Sequence, residues 1–298
     1  MTRGGQSRII EVPGGYHVWT RRVGEGSLQM LTLHGGPGAN HEYLEVLERH
    51  LDPAQGGPDV TFYYYDQLGS YYADQPDDTS LWTVERFREE VEAVREALGL
   101  EQFVLYGQSW GGMLAIEYAL AYPEHLKGLV ISNMTASIAS YVAHLKTLRA
   151  ALPTDVQRRL ADFEAREDYF NPAYEELLVS TLYTQHLCRL DPWPDAVVRG
   201  LERISQPVYR TMQGPNEFVV TGNFAAWDRW DRLSEIRVPT LLLVGRHDTM
   251  NPADIEEMGR RMPDAEVAVL ENGSHLALWD DEAAYFEALE GFLTRLEP

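Results

Sequence analysis

The spacing of hydrophobic and polar positions changes several times along the chain, and each change predicts an element. Apolar-rich runs at 8–12 and 16–19 flank Pro13-Gly14-Gly15, the pattern of a hairpin. Two further apolar runs, Leu28–Leu33 and 60–65, end at a glycine cluster and at Asp66. Over 83–98 the period lengthens: Val84, Phe87, Val91, Val94 and Leu98 recur every three or four residues, and Gly99 follows as a stop. Residues 103–106 read as a buried strand, 111–122 as a helix ended by Pro123, and 129–131 as another strand. Between 135 and 224 the strand-like runs disappear. Amphipathic stretches broken at Pro153, Pro172, Pro192, Pro194 and Pro207 replace them. Alternation then resumes with a strand at 240–244, a helix at 252–262, a strand at 266–270 and a last helix over 281–296.

Strands alternating with helices predict an α/β fold with a mainly parallel sheet. The interruption predicts a division of the chain into a core, 1–134 and 225–298, and an inserted helical cap, 135–224. In such sheets reactive groups gather outside the carboxyl ends of the strands, and the candidate chemistry meets that condition. Gly107-Gln108-Ser109-Trp110-Gly111 fits G-x-S-x-G between a strand and a helix, where a serine is presented on a sharp turn. The bare pentapeptide is a weak signal; its strand-turn-helix setting makes it a strong one. A serine nucleophile needs a base, and His275 sits in Asn272-Gly273-Ser274-His275 after the last strand. A histidine base needs a carboxylate to fix its tautomer, and Asp248 lies in Gly245-Arg246-His247-Asp248, directly after the strand 240–244. The order Ser109, Asp248, His275 is the order of α/β-hydrolase triads. Each residue has a plainer reading too: a glycine turn, a helix N-cap before Pro252, a surface-loop histidine. His34-Gly35-Gly36-Pro37-Gly38 is poor in side chains, so its backbone can approach a reacting carbonyl. The N–H groups of Gly36 and Trp110 are the candidate oxyanion hole, while His34 reads as a packed structural residue.

Composition narrows the partners. With 25 basic against 46 acidic residues the formal charge is -21, which disfavours nucleic acid and anionic membranes and favours ligands carrying a positive amine. The single cysteine, Cys188, precludes an internal disulfide and suits a reducing cytoplasm. No apolar stretch at the start reads as a signal peptide, and none approaches the roughly 18 residues of a membrane span. No H-E-x-x-H or P-loop motif is present, so neither a metal nor an organic cofactor is expected.

Together, His34-Gly35-Gly36-Pro37-Gly38, Tyr65-Asp66-Gln67-Leu68-Gly69, Gly107-Gln108-Ser109-Trp110-Gly111-Gly112, Gly214-Pro215-Asn216-Glu217-Phe218 and Gly273-Ser274-His275 resemble the proline iminopeptidases. These are prolyl aminopeptidases of α/β-hydrolase fold, and the likeness is to the branch of archaeal tricorn-interacting aminopeptidases. The resemblance spans about 16–292. It implies release of an N-terminal proline, or another residue, from a short peptide with a free amino terminus. It implies that Glu217 binds the substrate amine and that Tyr209 assists. One departure stands out: where the archaeal branch carries a second glutamate after the triad aspartate, this chain has Thr249. An amino-acid amidase, a carboxylesterase of the same fold and a non-catalytic binding protein remain as alternatives.

Overall fold

The computed structural model describes residues 5–296. Eight strands form one sheet in the order β1-β2-β4-β3-β5-β6-β7-β8. They are β1 (Gln6–Val12), β2 (Tyr16–Val23), β3 (Leu28–Leu33), β4 (Val60–Asp66), β5 (Phe103–Gln108), β6 (Leu126–Ser132), β7 (Thr240–Gly245) and β8 (Ala265–Leu270). β1, β2 and β4 pair antiparallel, and every pair from β4 through β3 to β8 is parallel. The hairpin predicted across Pro13-Gly14-Gly15 is the β1–β2 pair, closed by Val12 against Tyr16.

Covered on both faces, the inner strands are mostly apolar: β4, β5 and β7 are buried at every residue, whereas the edges β1 and β8 are partly exposed. Successive side chains point to opposite faces. Leu105, Ile131 and Leu242 join the core on one side, and Val104, Val130 and Leu243 the core on the other. The helices Val84–Leu98 and Trp110–Ala121 pack into the first core, and Glu282–Leu296 into the second. Gly99 ends the first of these helices as the sequence predicts, and Thr83, counted there within the helix, is its cap. The Thr83 side chain accepts the Arg86 N–H, and Gly99 takes a left-handed conformation.

Between β6 and β7 the described elements are helices, chiefly Ile138–Ala150, Thr154–Glu164, Pro172–Leu178, Asp195–Glu202 and Gln206–Met212. Proline breaks mark several of their starts: Pro153 and Pro194 precede helices, and Pro172 and Pro207 lie in first turns. Their apolar faces continue the sheet's own cores: Leu160, Tyr174, Leu182 and Met212 join the first, Cys188 and Val197 the second. Cys188 is buried, and that burial pushes its thiol up to about 11, as befits a packing residue. Among the described residues no helix is long and apolar enough to cross a membrane.

Candidate active site

β5 delivers Ser109 into a turn that the backbone barely tolerates. Ser109 has φ 55° and ψ −124°, outside the usual regions for a residue with a side chain. Such a conformation costs about 1–3 kcal/mol and persists where surrounding structure imposes it. The flanking glycines make room for it here: a Cβ on Gly107 would stand 2.1 Å from the Gly111 carbonyl oxygen, and one on Gly111 2.1 Å from that of Leu33. The turn leads straight into the helix Trp110–Ala121. As the first residue of that helix, Trp110 carries an N–H that no carbonyl within the helix can take.

The Ser109 hydroxyl lies 2.9 Å from Nε2 of His275, whose Nδ1 lies 2.7 Å from Oδ1 of Asp248. Asp248 also accepts from the Met250 N–H at 3.0 Å and from the Asn133 amide at 2.6 Å. The helix after Asp248 is capped by Asn251 instead, which accepts the Ala253 N–H, so Asp248 is not spent as a cap. Asn133 is itself held at φ 56° after β6 and donates to the Ser274 carbonyl. The His275 loop is fixed from the helical segment as well: the His275 and Leu276 N–H groups donate to the carbonyls of His186 and Leu187.

Electrostatics at His275 are a contest. Burial alone would lower its pKa, but the adjacent Asp248 charge and hydrogen bond, reinforced by Glu217 and Asp280, raise it to about 9. The Glu217 carboxylate approaches Nε2 of His275 to 4.0 Å. Its Oε1 is met by the hydroxyls of Tyr141 at 2.7 Å and Thr249 at 3.0 Å. The Thr249 hydroxyl also lies 3.2 Å from Nδ1 of His275 and 3.3 Å from Oδ1 of Asp248. Thr249 thus sits, fully buried, between the two carboxylates. Burial, then the Glu217 charge, push the phenols of Tyr141 and Tyr209 well above their ordinary value. Tyr209 lines the cavity that Glu217 borders.

Gly36 turns at φ 109°, which only glycine adopts freely, and borders the same cavity as Ser109. Its neighbour Gly35 donates to the Tyr43 hydroxyl at 2.7 Å, which donates to Gln108 Oε1 at 2.7 Å; Gln108 Nε2 in turn reaches the His275 carbonyl. This chain ties the glycine loop, the serine turn and the histidine loop together. His34 is buried and accepts from the Gln67 N–H, and burial lowers its pKa, in keeping with a structural role.

The model of the α/β-hydrolase fold family matches residues 30–282. A proline iminopeptidase of Flavobacterium johnsoniae is 42% identical over 289 residues, 95% of this chain and 96% of that protein. One from Elizabethkingia meningoseptica is 44% identical over 285 residues, 94% of each chain. The chain belongs to the proline iminopeptidase family. The crystal structure of the Mycobacterium smegmatis proline iminopeptidase agrees, superposing with a TM-score of 0.88 at 30% identity over 98% of each chain.

For a member of the proline iminopeptidase family, the residues singled out by sequence fall in one place: Ser109, His275, Gly36, Tyr209 and Glu217 all line one cavity, with Trp110 and Asp248 adjoining. Sequence reasoning missed the residues that hold them. Gln108 lay inside the motif as an unspecified position. Tyr43, Asn133 and Tyr141 carried no local signal. Thr249 was noticed only as a departure, and its hydroxyl is a donor to Glu217.

Proposed function

We propose that this protein is a serine aminopeptidase that releases N-terminal proline from peptides through a covalent prolyl-enzyme. The observation that carries the reading is one cavity bordered by the Ser109–His275 pair and by the Glu217 carboxylate. A carboxylate held by Tyr141 and Thr249 only 4.0 Å from the base suits a substrate whose cationic amine adjoins the scissile carbonyl.

In the proposed cycle Ser109 Oγ attacks the prolyl carbonyl and gives its proton to Nε2 of His275. Asp248 orients the ring and stabilises the imidazolium. The N–H groups of Gly36 and Trp110 hold the oxyanion. As the C–N bond breaks, His275 passes the proton to the departing nitrogen. Water, deprotonated by His275, then cleaves the ester and restores Ser109. Tyr209 closes the wall beside Glu217. The helical segment 135–224 serves as a cap that supplies Glu217 and the far wall of the cavity. The acidic surface favours such cationic substrates over nucleic acid, and a cytoplasmic location accords with the single buried cysteine.

The test is a panel of prolyl, alanyl and leucyl p-nitroanilides beside p-nitrophenyl acetate. The expected order of kcat/KM among the anilides is prolyl first, with leucyl at least tenfold lower. Hydrolysis of the acetate ester with no turnover of any anilide would replace this reading with a carboxylesterase.

A further inference from the structure

The space around Ser109 is divided into two unequal parts. On one side lies a cavity of about 660 Å3, and on the other a pocket of about 10 Å3, room for roughly one water. Ser109, Gly36 and Glu217 border both. His275 faces only the large cavity, together with Val179, Val198, Leu201 and Ile204. The small pocket is walled instead by Trp110, Met113, Met134, Ile138 and Phe224.

We propose that the enzyme also selects on the leaving side of the bond it cuts, taking a bulky apolar amine as leaving group in the large cavity. The inference rests on aminoacyl transfer to Ser109, and proton flow assigns the sides. The leaving nitrogen must take a proton from Nε2 of His275, so it departs into the space that His275 faces. The small pocket, at about 10 Å3, admits no such group. The floor of that pocket is stiff: Trp110 and Phe224 are stacked at 12° with ring centroids 6.1 Å apart, and Trp110 Nε1 donates to Gln67 at 2.7 Å.

The large cavity has a different character. Its deeper walls are buried or half-buried aliphatic groups, while the charged residues Glu175, Glu202 and Arg210 are exposed at its rim. Phe170, 56% exposed, stands at the mouth beneath the Arg210 guanidinium, 3.7 Å from it. An apolar leaving group covers these walls from water, whereas a small polar one leaves them wet.

The experiment is a series of proline N-alkylamides from methyl to hexyl, whose leaving amines have nearly equal basicity, so that chain length alone varies. kcat/KM is expected to rise roughly threefold per methylene, less than full burial would give, reaching at least fiftyfold between methyl and hexyl. Val198→Trp and Val179→Trp, each narrowing the cavity, are expected to collapse the hexyl-to-methyl ratio towards one, with the thermal midpoint of each variant reporting that it folds. Equal hydrolysis of the methyl and hexyl amides by the unaltered protein overturns the proposal and leaves the prolyl reading standing. Inertness towards every prolyl compound, anilides included, removes the prolyl reading itself and this inference with it.

Discussion

Ser109→Ala is expected to lower kcat/KM on prolyl anilide and on acetate ester together, by on the order of 10^4 to 10^6. Both reactions begin with the same attack, and the hydroxyl that makes it stands 2.9 Å from its base. Alanine removes the nucleophile and keeps the Cβ. The φ of 55° is no harder for alanine than for serine, because the strain comes from the Cβ that both carry, and Gly107 and Gly111 still leave room for the turn. The melting temperature is therefore expected to stay within about 3 °C of wild type, a shift that corresponds to roughly 1 kcal/mol or less in a chain of this size. Stopped-flow and steady-state rates on both substrates check the loss. Residual activity within tenfold of wild type would show that another group opens the carbonyl.

Glu217→Gln separates the substrates that Ser109→Ala treats alike. A carboxylate facing an ammonium in a mostly buried site contributes about 1.5–3 kcal/mol. With the Glu217 side chain only 13% exposed, little of that is lost to screening. Prolyl anilide is expected to lose about 10- to 150-fold in kcat/KM, and the acetate ester, which has no amine, far less. The same substitution moves a pH limb. His275 acts as base only when neutral, and its pKa of about 9 is held up in part by the Glu217 charge. On the ester, kcat/KM is expected to rise with pH towards a plateau above about 9. In Glu217→Gln, with one raising charge gone, the limb moves to lower pH. A bound substrate ammonium offsets the same charge, so kcat for prolyl anilide is expected to plateau at lower pH than kcat/KM for the ester in the wild type. An unmoved limb in Glu217→Gln, with equal losses on both substrates, contradicts an amine-binding Glu217.

What was legible in the sequence follows from what the pattern encodes. Strands buried on both faces write themselves as continuous apolar runs, so Leu28–Leu33 and Thr240–Gly245 were readable nearly to the residue. Ser109, Asp248 and His275 were readable because each follows a strand, and a parallel sheet brings those ends together. The helical segment was readable only as a break in alternation. Most of its helices are short, and two isolated bridges, Ser137 to Asp228 and Asn216 to Val219, left no trace in the spacing. The residues that position Ser109, His275 and Asp248 were the least legible. Tyr43 reaches Gln108 across 65 positions of sequence, and Asn133 reaches Asp248 across 115. Neither pair has a local period or motif, because each is made by tertiary packing alone. Thr249 shows the opposite limit. Set against the archaeal pattern it read as a missing charge, yet its buried hydroxyl reaches Glu217 at 3.0 Å and lies within hydrogen-bond range of the triad.

The central claim is that the enzyme recognises a free amino terminus on the residue whose carbonyl Ser109 attacks. The most direct measurement compares kcat/KM of the wild-type protein for prolyl p-nitroanilide and N-acetylprolyl p-nitroanilide. Acetylation keeps the ring, the scissile bond and the leaving group, and removes only the charge that Glu217 is held to meet. The account predicts a loss of at least a hundredfold for the acetylated compound, from the missing ion pair and from an acetyl group set against Glu217. Cleavage of the two anilides at similar rates would contradict it.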